Sequence, residues 1–184
     1  MAKIANPQGK GNHLLSNHWF EDVQLQVKSA DQIFSDYILS MLVLSAEFSF
    51  KPVPDNEYFL YLWKGQLRLS LIPARKCNFP EVECLAVCFL NADLTWKVIL
   101  HPQQALSSKA KEWLQNFAEA MQSQIERADS FRELLPYYEE SLPFYRRLYA
   151  SGLAKSLTKS AQKIRLLDKK PELPQSRFLP ALSG

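Results

Sequence analysis

Apolar residues recur along this chain with two different spacings, and the change from one to the other outlines the elements. Ile33, Phe34, Tyr37, Ile38, Met41, Leu42, Leu44 and Phe48 return every three or four positions, the repeat of a helix with one buried face. Ser29 and Gln32 stand just ahead of them at the spacing of a capping box, in which side chains satisfy the free amides of a first helical turn. Lys51-Pro52 follows, and a residue before proline avoids helical angles. The pattern predicts a helix over 29–48. From Tyr58 to Leu100 the spacing becomes two. Four alternating runs are separated by Lys64-Gly65, by a loop bracketed by Pro73 and Pro80, and by Asn91-Ala92-Asp93. These are turn formers, so the stretch predicts a four-stranded antiparallel meander.

Alternation also assigns faces. Tyr58, Leu60 and Leu62 share one side of the first strand with Leu67, Leu69 and Leu71 of the second, an aliphatic side that must be core. Phe59, Tyr61 and Trp63 share the other side with Gln66, Arg68 and Ser70. The third strand, Glu83 to Leu90, is apolar on both sides, which predicts cover on both faces. In the fourth, Trp96, Val98 and Leu100 oppose Thr95, Lys97 and Ile99.

Pro102 ends the sheet pattern and the helical repeat resumes. Trp113, Leu114, Phe117, Ala120, Met121 and Ile125 predict a helix from Ser107 or Ser108 to Arg127. Pro136 interrupts the next stretch, which reads as an irregular packed connection. A terminal helix starts near Pro143, with Ser141 as its cap. Tyr145, Tyr149, Leu153, Leu157, Ala161 and Ile164 form its apolar stripe, and Gly152 is expected to break it in two. Lys155, Lys159 and Lys163 form a second stripe about 200° away. The fold class is therefore α+β: a meander packed with an N-terminal helix and C-terminal helices. Residues 29–167 make a single domain between a flexible leader, 1–28, and a Pro-containing tail, 168–184. Trp19 and Phe20 are expected to anchor the leader to the body.

Charge sharpens the picture of the C-terminal part. The net charge is +3 over 184 residues. Residues 144–184 carry nine Lys and Arg against two Asp and Glu, whereas residues 31–143 carry ten against fifteen. A basic end on an acidic body points to internal docking or to an interaction segment. No stretch reaches the ~18–20 apolar residues that span a bilayer, and the N-terminus lacks a signal-peptide core. A cytoplasmic location is the expectation.

Candidate chemistry is sparse. Cys84 and Cys88 point the same way on a strand about 13 Å apart, at about 3.3 Å per residue, too far for a disulfide. With Cys77 they are expected to be free thiols. Gln8-Gly9-Lys10-Gly11 lacks the Ser or Thr that a phosphate-binding loop needs after its Lys. No zinc motif, nucleophile elbow or cofactor fingerprint is present, so no metal, cofactor or catalytic residue is assigned. Asp31, Asp36, Glu47, Asp93, Glu139 and Glu140 are the carboxylates from which a pair could form. Tyr61 and Trp63 beside Lys64 and Arg68 resemble a stacking platform with basic neighbours, although the residues after Lys64-Gly65 do not follow the RNA-recognition pattern. We expect these aromatics to be covered by the leader or by a terminal helix.

Tyr58-x-Leu60-Tyr61, Leu69-Ser70-Leu71-Ile72 and Asp93-Leu94-Thr95-Trp96 together resemble a family of uncharacterised proteins, a domain of unknown function with bacterial and eukaryotic members. The resemblance covers Tyr58 to Trp96. Members often carry an acid and a Trp after the second strand, where this chain has Lys76 and Cys77. It implies no established activity. The sequence is thus read first as a non-enzymatic binding or adaptor module for a macromolecular partner, a protein before a nucleic acid. Its candidate binding residues are Tyr61, Trp63, Arg68, Lys155, Lys159 and Lys163. The alternatives are nucleic-acid binding through the basic helix, and a small-ligand site or enzyme with a pocket between helix 29–48 and the sheet. The sequence does not set the oligomeric state.

Overall fold

A computed structural model describes residues 27–77, 80–136 and 142–171. The leader to residue 26, the tail from 172 and the capping role read for Ser141 lie outside the described residues.

Helix α1 spans Ala30–Leu44, and the Ser29 hydroxyl accepts from the Gln32 amide at its start. It stops four residues earlier than the apolar repeat predicts. Beyond Leu44 the buried positions are Leu44, Ala46 and Phe48, a spacing of two, and Glu47 forms a parallel bridge with Arg68. Extended backbone buries alternate residues, so Phe48 joins the core without belonging to the helix.

The strands are β1 (Glu57–Trp63), β2 (Gln66–Ser70), β3 (Val82–Leu90) and β4 (Trp96–Leu100). All pair antiparallel, in the order β2-β1-β3-β4. The second connection therefore leads from β2, at one edge, back past β1 to β3. Leu71 follows β2 in this connection and is 53% exposed, so it leaves the buried face on which alternation had placed it. Pairing shifts between Leu60 and Tyr61, where Ala86 and Cys84 are successive partners. This bulge leaves Leu85 without a partner on β1, while its carbonyl accepts from the His101 amide at 2.8 Å, and both Leu85 and Ala86 are fully buried.

Helix α2 (Ser108–Arg127), the short α3 (Phe131–Leu134) and α4 (Phe144–Lys163) complete the described elements, with single 3-10 turns at Ala74–Lys76 and Gln103–Ala105. α4 runs through Gly152 unbroken. Gly152 is buried there, and neighbouring packing outweighs a glycine's roughly 1 kcal/mol penalty in a helix. Arg146 of α4 donates to the Leu44 carbonyl at 2.9 Å, placing a cation at the negative end of α1.

One contiguous core gathers Ile33, Phe34, Tyr37 and Leu42 of α1, Leu114 and Ile125 of α2, and Tyr149, Leu153 and Leu157 of α4. They meet Tyr58, Leu60, Leu62, Leu67, Leu69, Ala86, Cys88, Leu90 and Trp96 from one face of the sheet. Trp96 is its hub. Its ring meets Tyr58 and Tyr149 edge-on at 5.2 and 6.0 Å, and its backbone amide donates to the Ser40 hydroxyl at 3.0 Å. Burial pushes the Cys88 thiol up to about 12, as expected of an inert core cysteine.

Candidate interaction surface

The opposite face of the sheet is built by the same alternation. The ladder places Phe59, Tyr61 and Trp63 of β1 beside Ser70, Arg68 and Gln66 of β2. It also sets Phe59 against Val87, Glu57 against Phe89, and these two β3 residues against Ile99 and Lys97 of β4. Of the apolar residues on this face, none belongs to the core cluster that α1, α2 and α4 fill. The third strand is thus apolar on both sides, but the described helices cover only one of them.

Phe59, Trp63, Val87 and Phe89 on this face are half-buried, and Tyr61 is buried. It is 4% exposed because the connection after β2 folds over it, and its hydroxyl donates to the Ile72 carbonyl at 2.6 Å. Burial, with Cys84 and Cys77 nearby, pushes its phenol up. Tyr61 is therefore held beneath the connection and is not an open contact residue. Trp63 is half-buried, with the Arg68 guanidinium 4.0 Å from its ring centroid and the Lys64 ammonium at 5.2 Å. Arg68 also pairs with Glu47 at 3.4 Å. Ile99 is 49% exposed and Lys97 is exposed at the far side of the face.

Lys155, Lys159 and Lys163 all stand on the exposed side of α4. The buried side of α4 packs into the core with Trp96, across the sheet from Trp63 and Arg68. The structure therefore does not join the lysine stripe to the aromatic patch, and the terminal helix does not cover that patch. The leader, the other expected cover, lies outside the described residues.

Asp36 and Asp93 are brought together from α1 and the β3–β4 turn. The Lys28 ammonium bonds to both carboxylates, and Asp93 also accepts from the Thr95 amide and hydroxyl at 3.1 and 2.6 Å. Burial raises the Asp93 carboxyl, but Lys28 and Thr95 outweigh it and hold the group below its ordinary value. At Asp36, burial prevails over Lys28 and the carboxyl sits above its ordinary value. For Lys28, burial pulls down, and the two carboxylates together more than offset it. This cluster ties Lys28, two residues ahead of α1, to that helix and to the β3–β4 turn.

The space between α1 and the sheet, where a ligand pocket was one expectation, is filled by Ile33, Tyr37, Leu60 and Trp96, all at 1% exposure or less. Among the described residues, two clefts stand out elsewhere. One, of about 550 Å³, has Leu62, Val82 and Trp113 as its apolar walls between the β1–β2 turn and the start of α2. Glu83 borders it, but its carboxylate is taken up by the Ser107 amide and hydroxyl at the α2 N-terminus. The other, of about 430 Å³, lies between α1, α2 and the start of α4. Among the described residues, no three His, Cys, Asp or Glu side chains gather as a metal site, and no helix is long and apolar enough to cross a membrane.

Phe59, Val87, Phe89, Lys97 and Ile99 were not singled out as site residues from the sequence. Their alternation was visible, but β3 is apolar on both sides, and only the register shows which of its residues share a face with Trp63. Comparison with known proteins supplies no relative: no family model, curated protein or solved structure matches the chain.

Proposed function

We propose that the protein is a non-enzymatic binding module that engages a protein partner through the helix-free face of its sheet. The observation that carries this reading is that Phe59, Trp63, Val87, Phe89 and Ile99 share one face and stand outside the core. A contiguous apolar surface with a polar rim marks an interaction site, and aromatic residues are enriched at protein interfaces. The rim here has mixed sign, with Glu47 and Glu57 beside Arg68 and Lys97. That favours a protein over a polyanion. So does Trp63, one side of whose ring already carries Arg68.

The test compares partners recovered with the full-length chain and with a Trp63→Ala, Ile99→Asp variant, after thermal melting shows both to be folded. A Glu119→Ala, Gln122→Ala variant on the exposed side of α2 serves as control. A discrete set of proteins is expected to be lost from the sheet variant and kept by the control. Purified members of that set should bind the variant at least about tenfold more weakly, a loss of about 1.4 kcal/mol. Identical partner sets for all three chains would sink the reading.

A second reading rests on Lys155, Lys159 and Lys163, which recur at four-residue spacing on the exposed side of α4. In it this stripe contacts nucleic-acid phosphates, so affinity for mixed RNA and DNA falls steeply as salt releases counterions. Binding that ignores salt, or no binding, excludes it.

A further inference from the structure

We infer that the outer edge of β4 pairs with the same edge of a second copy of this chain, about a two-fold axis at Ile99. The inference goes beyond the partner face proposed above and does not depend on it. It starts from the direction of the backbone groups. The His101 amide donates to the Leu85 carbonyl and the Asn91 amide to the Thr95 carbonyl, and both pairs continue the β3–β4 register. Hydrogen-bonded pairs in an antiparallel ladder recur at every second residue. Thr95, Lys97, Ile99 and His101 therefore turn their amides and carbonyls to β3, while Trp96, Val98 and Leu100 turn theirs away from the sheet. The Trp96 amide is taken by the Ser40 hydroxyl at 3.0 Å. Among the described residues, nothing bonds to the amides and carbonyls of Val98 and Leu100. Unpaired groups at a strand edge are a template for another strand.

Symmetry decides which register fits. With the axis at Ile99, Val98 of one copy stands opposite Leu100 of the other and exchanges two hydrogen bonds with it, so every free amide and carbonyl of the two residues is satisfied. Moving the axis to Val98 sets Leu100 opposite Trp96, whose amide is already taken. Moving it to Leu100 sets Val98 opposite Pro102, which has no amide to give. The Ile99 register also suits the side chains. Ile99, 49% exposed, meets its own copy in a non-hydrogen-bonded pair, with Cα atoms about 4.5 Å apart. Val98 and Leu100 pack against the core and meet each other, apolar to apolar, on that side of the seam. The two exposed Lys97 side chains stand four residues out of line, about 13 Å apart, so no like charges are opposed. A pairing this short buries little beside the ~1,200–2,000 Å² of stable complexes, so the dimer is one that dissociates on dilution.

Sedimentation of the full-length chain from micromolar to sub-millimolar concentration reads the association. Val98→Pro removes one outward amide and leaves the bonds to β3 and the side chains of Trp63 and Ile99 in place. A concentration-dependent dimer is expected, weakened at least about tenfold by Val98→Pro. Crosslinking under mild oxidant reads the register. Ile99→Cys should form a disulfide between copies at least about tenfold faster than Lys97→Cys, whose Cα atoms would lie beyond the ~7 Å that a disulfide can bridge. The wild-type chain sets the background from Cys77, Cys84 and Cys88. A chain that stays monomeric throughout, a dimer that Val98→Pro leaves intact, or equal crosslinking at 97 and 99 would overturn the inference. The crosslinking rates decide the matter even where Val98→Pro fails to fold. No partner protein enters either readout, so this result and that of the partner comparison are told apart.

Discussion

Tyr61 lies on the outer face of the sheet and is nonetheless buried, because a connection that belongs to neither neighbouring strand crosses over it. The Tyr61 hydroxyl bond to the Ile72 carbonyl, at 2.6 Å, ties that connection down. Tyr61→Phe should cost about 0.5–1.5 kcal/mol, the net worth of one such bond, and should speed tryptic cleavage at Arg75 and Lys76. Urea unfolding and timed proteolysis check the two parts separately. The Lys28 pin makes a pH prediction with a definite sign. Asp93 is held below its ordinary 3.8 in the folded protein, so its stabilisation is present above that value and is lost as pH falls through the folded one. Asp93→Asn should therefore lower stability at neutral pH and flatten the loss seen in the wild type below about pH 4. Urea midpoints measured across acid pH decide it; parallel curves would show that the pin contributes nothing. Asp36 works in the opposite direction, since its raised carboxyl favours the protonated form on folding.

At the scale of elements, the β1–β2 turn shows how local chemistry sets a register. Lys64 and Gly65 both have positive φ, 49° and 79°, as a two-residue hairpin turn of the primed type requires. A Cβ on Gly65 would meet no atom within 4 Å, so Gly65→Ala isolates the backbone term. It should destabilise by about 1–2 kcal/mol, read from denaturant midpoints with an unchanged slope. Such turns were legible in the chain, as were α2, the four strands and the cap at Ser29, because each follows from neighbours in sequence. Two features were less legible. α1 ends at Leu44 without a proline or glycine to mark it, and three residues on the chain is bridged as a strand; that bridge, from Glu47 to Arg68, is a long-range pairing. Gly152 looked like a break, yet its surroundings in the core keep α4 whole.

For the whole molecule, α4 is both a core element and the carrier of the lysine stripe, and the two roles must be separated in any experiment. Deleting residues 144–184 removes Tyr149, Leu153 and Leu157 from the core. Each large side chain lost from a core typically costs about 2–5 kcal/mol, which together exceeds the ~5–15 kcal/mol stability of a typical domain when the rest of the helix is included. The deletion should yield an unfolded chain by circular dichroism and near-ultraviolet spectroscopy. Lys155→Glu, Lys159→Glu, Lys163→Glu changes only exposed positions and should leave the melting curve nearly unchanged. It is therefore the variant in which the nucleic-acid reading can be tested without confounding by unfolding.

The sequence by itself determined the α+β class, most element boundaries and the buried face of β1 and β2. Those properties follow from the 3.6- and two-residue repeats of helix and strand, which act over a few neighbours. Tertiary structure decided the order β2-β1-β3-β4, the free face of β3, the meeting of Asp36 with Asp93 around Lys28, and the separation of Trp63 and Arg68 from the lysines of α4. Each depends on which distant segments pair and on which side of the sheet the helices pack. A strand that is apolar on both sides, as β3 is, carries no local signal that chooses between its faces.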